Sequence, residues 1–183
     1  MPPKVKLTKE DIAAKAIDII RRDGYDALNA RSLASECGTS TMPLFSYYEN
    51  MDEIKRAAVQ IGIEKYNQYM RDAMSTQEPF KKVGRAYIKF AQDEPELFRM
   101  FFMTPTSEIA GLPDTDANAK PVADIASEML NGDQGAGERM LMDMWIFVHG
   151  IATLSVTGKK KFSDEETGEI LSSVFARLKG GIQ

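Results

Sequence analysis

Side chains suited to hydrogen bonding with an anionic partner are concentrated in one short segment of the first third of the chain. Arg31 carries a guanidinium, and Thr41 and Tyr47 carry hydroxyls, groups that donate hydrogen bonds to phosphate oxygens or base edges. Met42 and Pro43 lie between them and offer apolar contact, for example to thymine methyl groups. This combination is typical of a surface that contacts DNA.

Two short predicted helices position these side chains. The first runs from about Ala30 to Cys37, with Asn29 as its N-cap, and Gly38 ends it. The second runs from about Thr41 to Tyr48 and is capped by Ser40. Two short helices joined by a glycine turn and docked on a longer first helix make a helix-turn-helix, whose second helix is the candidate to enter the major groove.

The inner face of this second helix is predicted from spacing. Leu44 and Tyr48 are four residues apart, so we expect both to pack on the first helix. Ahead of that helix, Lys4, Lys6 and Lys9 form a basic arm that can reach the DNA backbone or a minor groove.

The rest of the chain also reads as helices, without strand-like alternation or internal repeats. The other predicted helices are Thr8 to Asp23, Met51 to Ser75 (with Ile54, Ala58, Ile61 and Met70 inward), Phe80 to Asp93, Pro95 to Met103, Pro121 to Leu130, Glu138 to Val156 and Ser163 to Gly180. Thr8 with Asp11 and Ser163 with Glu166 form capping-box patterns. We expect Thr104 to Lys120 to be a loop and Asn131 to Gly137 a glycine-rich turn.

The helix predicted over Glu138 to Val156 is apolar nearly all round, so it needs to be buried on most sides. A chain of this length has difficulty covering both that helix and the apolar face of the last one. We therefore expect the last two helices to pair with a second subunit. Gly150 is expected to permit close helix approach.

Composition excludes several classes of function. The chain has 183 residues and a net charge of -4, which argues against a protein that coats DNA by charge alone. A single cysteine, Cys37, and a single histidine, His149, rule out a disulfide framework and argue against a zinc site. Without a nucleophile–base pair, a metal site or a phosphate loop, we expect neither an enzyme nor a cofactor. The absence of a signal peptide or long apolar stretch and the lone thiol predict a cytoplasmic protein that does not contact a membrane.

The same segment carries a family resemblance. The residues Gly24, Leu28 to Ala34, Cys37 to Ser40, Leu44 to Tyr48, Asn50 and Asp52 to Ile54 resemble the N-terminal domain of the tetracycline-repressor (TetR) family. The likeness extends over about Lys6 to Tyr66. Further on, Tyr87 to Ala91, Glu94 to Phe98, Met100 to Phe102 and Trp145 to Gly150 resemble a C-terminal domain class of that family with a Trp…His-Gly signature.

The resemblance implies an all-α homodimer. A three-helix DNA-binding domain over residues 1–50 precedes a ligand-binding and dimerisation domain over residues 51–183. The function it implies is a transcriptional repressor that an apolar small molecule releases from a palindromic operator. The expected DNA contacts are Lys6, Ala30, Arg31, Thr39, Ser40, Thr41, Met42, Pro43, Ser46 and Tyr47.

The Met and aromatic residues of the second domain have two open interpretations: an apolar effector pocket or plain core packing. The pocket candidates are Tyr66, Met70, Phe90, Phe98, Met103, Met144, Trp145 and His149. For His149, a hydrogen-bonded core position is the alternative to a role in ligand or pH sensing.

Two residues depart from the family pattern. Phe45 stands where tyrosine is usual and Met51 where lysine is usual, so two phosphate contacts are lost. Residues 1–60 also contain nine basic and nine acidic side chains, so the domain is not net basic. The alternative is therefore a helical dimer that binds a small molecule or a protein and has weak or lost DNA binding.

Overall fold

The computed structural model describes residues 7–181, which form eight α-helices and no strand. The helices are α1 (Lys9–Asp23), α2 (Ala30–Glu36), α3 (Met51–Met74), α4 (Pro79–Asp93), α5 (Pro95–Phe102), α6 (Ala119–Met129), α7 (Gln134–Val156) and α8 (Asp164–Gly181). Short 3₁₀ turns lie at Tyr25–Ala27, Leu44–Ser46 and Thr106–Glu108. The all-α prediction is confirmed.

The helix starts follow side-chain capping. Thr8 accepts a hydrogen bond from the Asp11 N–H while Asp11 accepts one from the Thr8 N–H, which is the predicted capping box of α1. Ser163 and Glu166 exchange the same pair of hydrogen bonds ahead of α8. Gly24 ends α1 with a positive φ of 90°.

The chain divides into two compact units. The first contains the described part of Met1–Lys65 together with Glu96–Asp114, and the second contains Tyr66–Pro95 with the described part of Thr115–Gln183. The proposed functional boundary near residue 50 stays a prediction, because compactness alone does not define a functional domain.

The first unit is built on α1, whose Ile12, Ala16 and Ile20 are fully buried. Residues from beyond position 95 complete this unit. Leu97 and Phe98 of α5 are fully buried, and the ring of Phe101 lies 3.0 Å from where a Cβ on Gly62 would stand. Gly62 therefore leaves the space that α5 occupies against α3.

The segment after α5 is also attached within the first unit. The Ala110 N–H donates to the Tyr25 hydroxyl (2.9 Å), and the Gln60 amide donates to the Gly111 carbonyl (3.2 Å). A Cβ on Gly111, whose φ is +80°, would meet the Arg56 side chain at 2.9 Å. Glycine there satisfies both the backbone conformation and the close contact.

In the second unit α7 packs against α4, α6 and α8. A Cβ on Gly137 would stand 2.7 Å from the Ser127 nitrogen and 2.8 Å from the Ala123 carbonyl oxygen, so glycine permits the close approach of α6 and α7. The expectation placed this role at Gly150, which is exposed and has nothing within 4 Å of a Cβ in the protomer.

Three further expectations differ from the structure. Helix α7 begins at Gln134 rather than Glu138, because the Asp133 side chain caps it through the Ala136 N–H (2.9 Å). Ile61, expected on the inner side of α3, is exposed. The expectation that α7 is buried on most sides is wrong for the protomer, in which it leaves several large apolar side chains exposed: Met142, Trp145, Ile146, Phe147 and Leu154.

Within residues 7–181, none of the helices combines the length and the apolar character needed to cross a membrane.

Candidate functional site

The segment that follows α2 is fixed by two inward side chains. Leu44 is fully buried, and Tyr48 is 3% exposed and donates from its hydroxyl to the Lys9 carbonyl (2.9 Å). The Lys9 ammonium lies 4.6 Å from the centre of the Tyr48 ring, a cation–π distance. The predicted inward residues are confirmed, and Tyr48 attaches the segment to α1.

The predicted α-helix over Thr41 to Tyr48 is wrong in extent. The structure has only a 3₁₀ turn at Leu44–Ser46, with turns of the backbone on either side. Pro43 has no N–H to donate, and a run of eight residues is too short to form a helix without help from packing. Because no regular helix starts at residue 41, Ser40 does not act as the predicted N-cap.

Helix α2 has the predicted N-cap, and the cap changes which groups can contact a phosphate. The Asn29 side chain accepts hydrogen bonds from the backbone N–H groups of Arg31 (3.0 Å) and Ser32 (3.1 Å). Ser32 returns the contact by accepting from the Asn29 N–H (3.0 Å). A phosphate contact at this end of α2 therefore falls to the Ala30 N–H and the Arg31 guanidinium.

The predicted DNA contacts are unequally accessible. Arg31, Ser40, Thr41, Met42 and Ser46 are exposed, and Ala30, Thr39, Pro43 and Tyr47 are partly buried. Met42 is the most exposed large apolar side chain of the described residues, at 79%. Lys6, like Lys4, lies outside the described residues.

One ion pair near this segment was not anticipated from the sequence. The Lys9 ammonium donates to a Glu53 carboxylate oxygen at 2.9 Å. The other Glu53 oxygen accepts from the Glu49 N–H (2.7 Å), and these contacts lower the pKa of Glu53, with the backbone contact the larger cause. The hydrogen bond with Glu53 raises the pKa of Lys9. Lys9 is thus paired within the protein, and Lys4 and Lys6 of the predicted basic arm lie outside the described residues.

The second unit contains a partly buried polar cluster around Tyr66, in which Tyr66 and Asn118 are buried and Asp116 is exposed. The Tyr66 hydroxyl donates to Asp116 (2.7 Å), and burial with the nearby carboxylate raises the pKa of Tyr66 well above its ordinary value. Asn118 donates from its backbone to the other Asp116 oxygen (2.8 Å) and from its side chain to Asn67 (2.8 Å). Asp116 and Asn118 lie just before α6, in a stretch whose sequence has no periodic pattern that would have identified them.

A second cluster connects α4 with α7. The Tyr87 hydroxyl lies 3.0 Å from Nδ1 of His149, and the Trp145 ring packs near the His149 ring, with 5.2 Å between their centres. With its proton on Nε2 the neutral imidazole would accept a hydrogen bond from Tyr87, and with its proton on Nδ1 it would donate one to the Tyr87 oxygen. Burial lowers the pKa of His149 and raises that of Tyr87. His149 therefore has the hydrogen-bonded position that was the alternative to a sensing role.

The pocket candidates are distributed over both units. Tyr66, Met70, Phe90 and Met144 are buried in the second unit, where the Tyr66 and Phe90 rings lie 5.1 Å apart. Trp145 and His149 belong to the same unit and are less buried. Phe98 is buried in the first unit, and Met103 follows α5 there in an exposed position. Among the described residues, no group of three or more His, Cys, Asp or Glu side chains is arranged to hold a metal ion.

Comparison with known proteins identifies the family. A family model described as tetracyclin repressor-like, C-terminal domain, matches residues 80–178, which is more than half of the chain. The chain belongs to the tetracycline-repressor (TetR) family. An uncharacterised HTH-type transcriptional regulator from Mycobacterium tuberculosis is 24% identical over 97% of this chain and 83% of its own length. This TetR-family protein is accordingly a helix-turn-helix transcriptional regulator.

Solved structures share the fold of this TetR-family chain. A protein of unknown function from Rhodococcus sp. RHA1 has a TM-score of 0.74 at 19% identity and covers 99% of this chain and 98% of its own. The multidrug binding protein EbrR, complexed with imidazole, has a TM-score of 0.59 at 17% identity, with 92% and 95% covered. A TetR variant from Acinetobacter baumannii AYE in complex with minocycline has a TM-score of 0.60 at 15% identity, with 97% and 99% covered.

Proposed function

We propose that this TetR-family regulator is a repressor: a homodimer that binds a palindromic operator and is released by an apolar small molecule. The observation that carries the proposal is the segment after α2. Leu44 is buried and Tyr48 attaches the segment to α1, while Thr41, Met42 and Ser46 stay exposed. An attached segment with an exposed face of this kind can enter a major groove without losing its own packing.

The phosphate contacts are assigned to exposed donors beside the segment. The Arg31 guanidinium suits a phosphate, and the hydroxyls of Ser40 and Thr41 can donate to backbone oxygens. Because Lys9 is paired with Glu53, it adds little free positive charge. We therefore expect specific binding with a shallow dependence on salt.

The dimer is assigned to the exposed apolar face of α7, together with α8. Ile146 is 59% exposed and Met142 is 55% exposed, and Phe147 and Leu154 extend the face along the helix. Large apolar side chains that recur over several turns of one helix are typical of a surface covered by another protein. The exposed Gly150 on this helix leaves room for a helix of a second copy to approach closely.

The effector is assigned to the second unit, among the buried aromatic and methionine side chains around Tyr66 and Phe90. EbrR and the Acinetobacter TetR variant were solved with imidazole and minocycline, respectively, which supports a small-molecule ligand for this relative. The dimer can have one geometry that binds DNA and another that does not. An effector that binds more tightly to the second geometry would change the separation of the two DNA-binding segments and lower operator affinity.

The alternative is a helical dimer with weak or lost DNA binding. Phe45 has no hydroxyl and Met51 has no charge, so two phosphate contacts usual in the family are lacking. Selection of bound DNA from random duplexes at two salt concentrations tests the proposal against this alternative. A palindromic consensus supports operator binding. The absence of any enrichment at low salt contradicts it and favours the alternative.

A further inference from the structure

The backbone hydrogen bonds of the segment after α2 determine which of its side chains lie on the same edge. The Leu44 N–H donates to the Thr41 carbonyl and the Tyr47 N–H to the Leu44 carbonyl, each at 3.2 Å. Hydrogen bonds between residues three apart are those of a 3₁₀ conformation, in which side chains three apart lie above one another. Thr41, Leu44 and Tyr47 therefore share one edge, and Met42 and Phe45 share another.

Burial identifies which edge faces outward. Leu44 is fully buried and Tyr47 is partly buried, so their edge turns inward, while Thr41 at the start of the segment remains exposed. Met42 is 79% exposed and Phe45 is 42% exposed. The edge that projects furthest therefore carries an unbranched thioether and an aromatic ring. Neither side chain has a conventional hydrogen-bond donor.

The setting of this edge indicates what covers it. Ser40, Thr41 and Ser46 beside it are exposed hydroxyls, so the apolar area is two side chains wide. A stable protein interface buries roughly 800 Å² on each partner, far more than such an edge supplies. The apolar group that DNA presents in the major groove is the C5-methyl of thymine, and surrounding phosphates would meet the hydroxyls and Arg31.

We propose that Met42 and Phe45 are specificity-determining residues that recognise C5-methyl groups of pyrimidines in the operator. This inference rests on the proposed DNA binding. Met42 adapts its shape through three rotatable bonds, and Phe45, which lacks the usual hydroxyl, offers a flat apolar surface. Recognition then depends on thymine methyls more than on hydrogen bonds to base edges. A 5-methylcytosine carries the same group at the same ring position and serves as a second probe.

The test uses the full-length dimer and the duplex obtained by selection. Affinity is compared for that duplex and for duplexes of identical sequence with deoxyuridine in place of single thymines. We expect about fourfold weaker binding for each contacted methyl group, from the transfer free energy of a group of that size. Met42→Gln should bring the thymine-to-uracil ratio close to one at the positions that Met42 contacts.

Ile61→Gln is the matched control, because it makes a similar polar change at an exposed residue of α3. It should keep the wild-type ratio. Phe45→Ala provides a second variant whose loss of discrimination should fall at other thymines, and thermal unfolding checks that each variant is folded.

Equal affinity for thymine and deoxyuridine duplexes would overturn this inference while leaving operator binding intact. A ratio that persists in both Met42→Gln and Phe45→Ala would also overturn it. If no duplex is enriched from the random pool, the proposed function fails first, and the methyl-recognition inference fails with it.

Discussion

Both compact units leave apolar side chains exposed, but in different settings. In the first unit, Met42 and Phe45 form a narrow exposed edge in a segment that also exposes the hydroxyls of Ser40, Thr41 and Ser46. In the second, Met142, Ile146 and Leu154 extend over three turns of a single helix. The kind of partner that covers an exposed apolar group is indicated by the residues around it. Side chains that can donate hydrogen bonds to phosphates, around a small apolar edge, favour DNA. A continuous apolar face along a helix favours another helix.

The largest expected effect comes from placing a charge on the helical face. Ile146→Asp should weaken the dimer at least 100-fold, because dimerisation would bury a carboxylate without a partner. Sedimentation at several protein concentrations measures this. Met42→Asp makes the same kind of change on the narrow edge and should leave the dimer intact while abolishing operator binding. A dimeric Ile146→Asp variant would contradict the assignment of α7 to the interface.

The next effect compares alanine substitutions at two glycines of α7, one covered by α6 and one exposed. Gly137→Ala should destabilise the fold by about 1–3 kcal/mol, because a methyl group there meets the backbone of α6. Gly150→Ala should instead stabilise the protomer by about 0.5–1 kcal/mol, the helix preference of alanine over glycine. Urea unfolding of both variants in the Ile146→Asp background removes the contribution of the dimer. A Gly137→Ala variant as stable as its parent would contradict the close contact of Gly137 with α6, and a loss of stability in Gly150→Ala would contradict its open position.

A smaller effect tests the phosphate contact assigned to Arg31. Arg31→Ala should weaken operator binding roughly tenfold for every sequence and reduce the salt dependence by about one counterion per subunit. Filter binding over a range of salt concentrations measures both quantities. Arg22→Ala serves as the control, because Arg22 is already paired with Asp23 and Glu36. If Arg31→Ala changed the preferred sequence instead, Arg31 would contact bases.

The smallest effect is a pH dependence that belongs to the second unit alone. Burial lowers the pKa of His149, so the unfolded chain takes up a proton at a higher pH than the folded protein does. Stability should therefore fall as the pH drops below the usual histidine value of about 6.5. His149 is the sole histidine of the sequence. In His149→Gln the free energy of unfolding should change less between pH 7.5 and pH 5.5 than in the wild type. An unchanged dependence on pH would contradict the effect of burial on His149.

Much of the fold was predictable because it is determined locally. The capping residues Thr8, Asn29 and Ser163 begin helices where the sequence predicts, and Gly24 ends α1. The inward positions Leu44 and Tyr48 follow from their spacing. These features depend on residues a few positions apart, so one sequence contains the information they need.

The rest depends on contacts between distant residues. The glycines of Asn131 to Gly137 predict a turn, yet Gly137 lies within α7 and lets the backbone of α6 pass close beside it. The ion pair of Lys9 with Glu53 joins residues 44 positions apart. The segment from Thr41 to Tyr48 has a helical pattern, but the structure forms only a 3₁₀ turn at Leu44–Ser46, with turns of the backbone on either side.

The docking of α5 and the loop after it has a consequence for how genes of this kind can be recombined. Leu97, Phe98 and the Tyr25–Ala110 hydrogen bond belong to the same unit as the DNA-binding segment. A DNA-binding domain transferred as the residues up to 65 alone would lack the part of its core that α5 contributes. In a chimeric regulator with the ligand-binding domain of another protein, Glu96–Asp114 would need to come from the same parent as the N-terminal half. This short segment would then be flanked on both sides by sequence of the other parent.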